Sequence, residues 1–150
     1  MKYPRTVPDP VGGQLSESTL WNLREVAPGL YVGGQVTPIH DGFDTVIDLA
    51  GQDDPSYKKF RKVLHWTFTD GLPVPEPLLD AVWDLLQKAQ GPVLIHCAEG
   101  RSRSVSVAYA MLRRQGQDHE AAYAAVCSTH GPPVPTTFNS VHEWVNHHVP

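Results

Sequence analysis

The stretch His96-Cys97-Ala98-Glu99-Gly100-Arg101-Ser102-Arg103-Ser104 indicates how this chain folds. It follows the short apolar run 93–95 and opens a segment, 102–114, whose apolar residues recur at helical spacing. A buried strand, a tight loop and a helix in direct succession are typical of α/β proteins. Such a loop can wrap backbone amides around a phosphate-sized dianion at the helix N-terminus, with the cysteine beneath it.

The residue types in this loop suit the cleavage of a phosphate ester. Cys97 would lie at the start of a helix and near Arg103, and both influences favour an ionised thiol. Gly100 permits the backbone conformation of a tight turn, and the planar guanidinium of Arg103 matches two phosphate oxygens. The expected phosphate-binding amides are those of Ala98, Glu99, Gly100, Arg101, Ser102 and Arg103.

The stretch resembles the active-site loop of the cysteine-dependent protein tyrosine phosphatases, above all the small dual-specificity phosphatases. The loop of that family reads His-Cys-x-x-Gly-x-Ser-Arg-Ser, and its fixed positions are filled here by His96, Cys97, Gly100, Ser102, Arg103 and Ser104. The resemblance implies that Cys97 attacks phosphorus to form a phosphocysteine, that Arg103 binds the phosphate and that Ser104 helps the sulfur to leave. It also implies that His96 braces the loop and supports the ionised thiol.

The family resemblance further implies a general acid, an aspartate on a loop that follows the strand before the penultimate helix and strand. Asp70 comes directly after the predicted strand 63–69 and before Gly71-Leu72-Pro73. A positioned acid typically accelerates such a step by roughly 10²–10⁴-fold. Asp70 is therefore the expected acid, and the base toward water in the second step; Asp53 and Asp54 are the alternatives.

Strand and helix patterns alternate along the rest of the chain. Strands are predicted at 30–32, 43–49, 63–69 and 93–95. Helices are predicted at about 56–61, 75–89 and 102–114. A further helix would begin after a cap at Asp118, and the last helix after a cap at Thr136 or Thr137. The expected fold class is α/β, a mostly parallel central sheet of about four to five strands flanked by helices, as in the dual-specificity phosphatases. An irregular arm, 1–18, would precede one catalytic domain, 19–150.

Composition narrows the possible partners. The chain has 150 residues and a formal net charge of −4, so no overall attraction to nucleic acid or an anionic membrane is expected. We expect a cytoplasmic protein, because there is no apolar leader and no run long enough to span a membrane. We also expect a monomer without cofactor or metal. The expected partner is a phosphorylated protein or a small phosphomonoester. Cys97 and Cys127 are expected to be reduced, with Cys127 in a helix.

Several alternatives stay open. The substrate could be a phosphoinositide or an RNA 5′-phosphate, which Arg101 favours and Glu99 disfavours. The chain could bind phosphate without turnover, or transfer sulfur as rhodanese-like domains do, although Arg103 favours phosphate. A basic cluster of Lys58, Lys59, Arg61 and Lys62 is a solvated face or a docking site for an acidic or phosphorylated partner. The spacing of His142, His147 and His148 matches no zinc site.

Overall fold

A sheet of five strands with helices packed against it forms the centre of the described part of the chain. The computed structural model describes residues 7–8, 14–15, 22–34, 42–52 and 55–149. The strands are β1 (Val7–Pro8), β2 (Gln14–Leu15), β3 (Arg24–Ala27), β4 (Leu30–Gly33), β5 (Thr45–Asp48), β6 (Lys62–His65) and β7 (Val93–His96). The helices are α1 (Glu76–Lys88), α2 (Arg103–Arg114), α3 (His119–Val126), α4 (Pro135–Asn139) and α5 (His142–His148), with a 3-10 helix at Pro55–Lys59.

The strand order of the main sheet is β3-β4-β7-β5-β6. The pairs β4–β7, β7–β5 and β5–β6 are parallel, and β3 pairs antiparallel with β4. Gly33 and Asp48 both lie opposite His96, at the ends of their strands. Because the carboxyl ends of parallel strands meet at one edge of a sheet, the ends of β4, β5, β6 and β7 lie together there. The prediction of a mostly parallel sheet of about four to five strands, flanked by helices, is confirmed.

Strand β7 and helix α2 run through the core, as the sequence predicts. Every residue of β7 is buried, and every residue of α2 from Ser104 to Leu112 is buried. Val93 and Ile95 pack into the core that α2 shares, whereas Leu94 packs on the opposite side with Tyr57 and other residues. Full burial of an aliphatic side chain of this size contributes roughly 1.5–3 kcal/mol. The strand and helix that frame the loop are therefore among the most firmly held elements.

The third predicted strand is shorter than predicted. Strand β6 ends at His65, whereas the sequence pattern extended it over 63–69. Its partner β5 ends opposite His65, because the carboxylate of Asp48 accepts hydrogen bonds from the backbone of Ala50 and Gly51 and turns the chain away. Trp66 and Phe68 still pack against the core, which explains the apolar alternation that continues past the strand.

The last predicted helix is divided in two. Helix α4 begins at Pro135 with Val134 as its cap residue, not at Thr136 or Thr137 as predicted, and α5 begins at His142. Proline suits the first helical position, which moves the start of α4 upstream. The hydroxyl of Thr137 donates to the carbonyl of Leu72, so it serves a loop and does not cap a helix. The predicted cap at Asp118 is confirmed, since its side chain accepts from the Ala121 amide.

Two features at the N-terminal side were missed. Strand β3 was not predicted, because buried Arg24 interrupts its apolar alternation; Arg24 donates to the carbonyls of Asn22 and Val126. Within the arm predicted to be irregular, β1 and β2 pair antiparallel, with Val7 opposite Leu15. In the described part of the chain, no helix is long and apolar enough to cross a membrane.

Candidate active site

The loop between β7 and α2 curves tightly around Gly100. This glycine has a φ of +70°, and an added Cβ would lie 2.6 Å from the carbonyl carbon of Gly33. On its outer side the buried amide of Asn22 donates to the carbonyls of Glu99 and Gly100, at 3.0 Å and 3.1 Å. Contacts with β4 and Asn22 thus fix the curvature that a nest of backbone amides needs to bind an anion.

Cys97 lies at the floor of this loop. It is 3% exposed, and its Sγ is 3.1 Å from the hydroxyl oxygen of Ser104 and 3.5 Å from the Ser104 backbone nitrogen. Ser104 is the second residue of α2, so the sulfur lies at the positive end of a buried helix. The sulfur therefore faces hydrogen-bonding groups and the N-terminus of a helix, which are typical surroundings of a reactive cysteine.

Arg103 is held by the backbone of two neighbouring strand ends. Its Nη1 donates to the carbonyl of Leu49, at 3.1 Å, and to that of Phe68, at 2.9 Å. Its Nε and Nη2 make no hydrogen bond to another described residue, so both remain available for two oxygens of one anion. One edge of the guanidinium is therefore held by the backbone, and the edge formed by Nε and Nη2 is free to bind a ligand.

Asp70 projects toward the same loop from the segment that follows β6. Its Oδ1 accepts a hydrogen bond from the Ser102 hydroxyl at 2.6 Å and from the Gly71 amide at 3.1 Å. The Gly71 amide lies 2.7 Å from the hydroxyl oxygen of Thr137, on α4. Asp53 and Asp54, the alternative acids, lie outside the described residues.

His96 is fully buried behind the loop. Its Nε2 lies 2.8 Å from the hydroxyl of Tyr57 and 3.6 Å from the carboxylate of Asp48, which in turn lies 2.8 Å from Nδ1 of His65. Burial lowers the pKa of His96 below its ordinary value, in spite of the opposing effect of Asp48. His96 is therefore a neutral ring at neutral pH, and it joins the loop to the 3-10 helix that carries Tyr57.

These elements enclose an open pocket of about 180 Å³. It is lined by Asp70, Cys97, Ala98, Glu99, Arg101, Ser102 and Arg103. Glu99 and Arg101 form an ion pair of 3.2 Å on the solvent side, so their charges offset each other there. One cavity, of suitable size for a phosphoryl group, is thus lined by a cysteine sulfur, the free edge of a guanidinium and a carboxyl group.

Comparison with solved structures gives the fold a family context. The chain is similar to a mouse putative dual specificity phosphatase complexed with zinc tungstate, with 22% identity and a TM-score of 0.68 over 89% of this chain and 92% of that one. It is similar to human DUSP28, with 20% identity and a TM-score of 0.62 over 84% and 94%. It is also similar to PTPMT1 in complex with PI(5)P, with 17% identity and a TM-score of 0.72 over 84% and 96%. This chain has the dual-specificity phosphatase fold. No protein-family model matches it, and neither does any curated protein sequence.

Within this dual-specificity phosphatase fold, most of the predicted site residues line the pocket. His96, Gly100 and Ser104 are the exceptions, since they support the loop from behind or below. Sequence reasoning missed Asn22, Tyr57, Asp48 and Thr137, each of which holds a part of the site. Only Asp48 carried a signal, because it ends a strand at the edge where the site forms.

The other residues singled out from the sequence lie apart from the pocket lining. Cys127 directly follows α3, where a helical position was predicted, and both cysteines are free thiols. In the basic cluster, Arg61 is paired with Asp44, and Lys58, Lys59 and Lys62 are exposed. His142, His147 and His148 belong to α5, and no group of three or more metal-ligating side chains is found in the described part of the chain.

Proposed function

We propose that this chain is a cysteine-dependent phosphatase that hydrolyses phosphotyrosine, and also phosphoserine and phosphothreonine, through a phosphocysteine intermediate. The observation that supports it most is the pocket itself. There the Cys97 sulfur, the free guanidinium edge of Arg103 and the carboxyl group of Asp70 line one cavity. The fold shared with the dual-specificity phosphatases adds independent support.

In the first step the Cys97 thiolate attacks phosphorus, and the bond between phosphorus and the ester oxygen breaks. The electron pair of that bond goes to the leaving oxygen, which takes a proton from Asp70. Arg103 and the loop amides bind the equatorial oxygens, where charge must be stabilised throughout. The products are the dephosphorylated alcohol or phenol and a phosphocysteine.

In the second step Asp70, now a carboxylate, takes a proton from water as the water oxygen attacks phosphorus. The bond between phosphorus and sulfur breaks, and the sulfur leaves as a thiolate. Ser104 stabilises that thiolate, since its hydroxyl lies 3.1 Å from Sγ. Inorganic phosphate then departs, and the enzyme returns to its starting state.

A phosphoinositide is the second candidate substrate. Arg101 lines the pocket, and PTPMT1, which has the same fold, has been solved with PI(5)P. The pairing of Arg101 with Glu99 leaves the rim without net positive charge, which favours a protein substrate over a polyanionic headgroup. Parallel assays with phosphopeptides and inositol phosphates therefore separate the two.

The experiment that tests this function is phosphate release from a phosphotyrosine peptide in the presence of a chelator. Wild type is expected to turn over, and Cys97→Ser to lose all measurable activity, because a serine hydroxyl stays protonated and is a poor nucleophile here. Cys127→Ser is the matched control, since it removes the other free thiol, and it should keep wild-type activity. Activity that survives in Cys97→Ser, or that the chelator abolishes, would rule out the proposed mechanism.

A further inference from the structure

The side chain of Ser102 joins the phosphate-binding loop to the segment that carries the acid. Ser102 is 5% exposed and directly precedes Arg103. Its Oγ lies 2.6 Å from Oδ1 of Asp70, which makes this one of the shorter side-chain contacts of the site. Its backbone is fixed as well, because the amide of Ser106 donates to its carbonyl at 2.8 Å.

The hydrogen-bond pattern fixes the direction of this contact. A serine hydroxyl has one hydrogen to donate and lone pairs to accept. The Val134 amide donates to Oγ of Ser102 at 2.9 Å, and an amide can only donate. The hydroxyl hydrogen is thereby left for Asp70, so the acid accepts a bond whose donor is itself held in place.

This arrangement distinguishes the two oxygens of Asp70. Oδ1 accepts from both the Ser102 hydroxyl and the Gly71 amide. Oδ2 has no hydrogen-bond partner among the described residues. A carboxylic acid whose one oxygen accepts two hydrogen bonds carries its proton on the other oxygen. Oδ2 is then the atom that gives the proton to the leaving group.

The acid-bearing segment is anchored to α4 at further points. The hydroxyl of Thr137 contacts the Gly71 amide and donates to the carbonyl of Leu72. The hydroxyl oxygen of Ser140 accepts from the Val74 amide at 2.9 Å. These contacts hold the acid segment against α4. The phosphate loop joins both of them at the Ser102 hydroxyl, which contacts Asp70 and Val134.

We propose that Ser102 is a positioning residue for the acid, in addition to the role of its backbone amide in the phosphate nest. This inference rests on the proposed function, in which Asp70 protonates the leaving oxygen. The Ser102 hydroxyl holds Asp70 with Oδ2 directed to the leaving group, and it does so before substrate binds. Acid catalysis in this chain thus depends on a residue that does not touch the leaving group itself.

The test is the dependence of kcat/KM on the leaving group, because kcat/KM reports the first step and not the breakdown of the phosphocysteine, in which Asp70 acts as base. An acid matters for a poor leaving group, such as the phenol of phenyl phosphate, and matters little for a good one, such as dinitrophenol. Ser102→Ala keeps the backbone amide and removes only the hydroxyl. It should lower kcat/KM for phenyl phosphate by roughly tenfold, the effect of one lost hydrogen bond, and leave kcat/KM for dinitrophenyl phosphate nearly unchanged. Inhibition by orthovanadate, which probes the phosphate nest, should keep its wild-type strength.

Two further variants make the result decisive. Ser106→Ala is the matched control: it removes a buried hydroxyl one turn along α2 that bonds to the Ser102 carbonyl and not to the acid, and it should leave the leaving-group dependence unchanged. Asp70→Asn should show the full leaving-group dependence, and adding Ser102→Ala to it should cause no further loss.

The proposal is overturned if Ser102→Ala slows both substrates equally and weakens vanadate inhibition, since Ser102 would then only shape the nest. It is also overturned if Ser102→Ala has no effect while Asp70→Asn behaves as expected. If Asp70→Asn itself shows no leaving-group dependence, the acid assignment under the proposed function fails, and the Ser102 proposal fails with it.

Discussion

Gly100 shows how one residue can decide whether the site forms. Its φ of +70° lies in the left-handed region, which residues with a Cβ rarely adopt. Its α-carbon also lies so close to the backbone of β4 that a Cβ would be 2.7 Å from the Gly34 nitrogen. Both the backbone conformation and the lack of space exclude other residues here.

Gly100→Ala should therefore destabilise the protein by at least about 2 kcal/mol and abolish activity, because the loop must move away from β4 to relieve the clash. Gly116→Ala is the control: it has a φ of +106° but nothing within 4 Å of an added Cβ, so it carries backbone strain alone. Urea denaturation and phosphate release of both variants check the prediction. Equal losses of stability and full activity in both would show that the contact with β4 is unimportant.

The loop residues could be predicted from the sequence because their roles depend on neighbours in the chain. Cys97 and Gly100 lie between a strand and the helix that follows it, and Arg103 and Ser104 are the first two residues of that helix. Asn22 could not be predicted, since the carbonyls it binds are 77 and 78 residues further along the chain. No local pattern distinguishes this asparagine from one in an ordinary turn.

At the scale of elements, the carboxylate of Asp44 ties together the starts of β5 and β6 and the end of α1. It accepts from Nε and Nη2 of Arg61, at 2.7 Å and 3.0 Å, and from the amide of Gln90 at 3.0 Å. The hydrogen bond from Arg61 is the main cause that lowers the pKa of Asp44 from 3.8 to about 2. This contact lies at the edge of the sheet opposite the site.

Asp44→Asn should lower the free energy of unfolding near neutral pH by roughly 2 kcal/mol, the value of hydrogen bonds to a charged group. The depressed pKa stabilises the folded state above pH 3.8, and this contribution is lost as the pH falls toward about 2. The difference between wild type and Asp44→Asn in urea denaturation should therefore shrink over that interval.

The control for this variant is Asp84→Asn. Asp84 pairs with Lys88 one helical turn away, and both side chains are more than half exposed, so its loss should change stability by less than about 1 kcal/mol. A stability difference between Asp44→Asn and wild type that stays constant down to pH 2 would contradict the account.

Element boundaries were predicted less well than the elements themselves. Helix α2 and strand β7 were predicted almost to the residue, because their apolar patterns reflect complete burial. The end of β6 was misplaced because it depends on where its partner strand stops, a fact that the sequence of β6 does not contain. The start of α4 was misplaced because Thr137 bonds to the acid segment, a contact made only in the folded chain.

For the whole molecule, the parallel sheet is what makes a single site from distant segments. Asp70, the loop 97–102 and Val134 come together because the segments after β6 and β7 lie at the same edge, where α4 also begins. The sequence alone predicted this edge, through the order of strands and helices. It could not predict the hydrogen bonds that connect the three segments there.

The central claim is that Cys97 carries the phosphoryl group between the two steps. The most direct measurement is mass spectrometry of the enzyme after rapid mixing with a phosphotyrosine peptide, using Ser104→Ala to slow the second step. This variant removes the hydroxyl 3.1 Å from Sγ, so the thiolate leaves less readily and the intermediate should accumulate. We predict a single added phosphoryl group on the peptide that contains Cys97, formed and consumed within the time course of turnover. Turnover with no adduct on Cys97, or with the phosphoryl group on another residue, would contradict this mechanism.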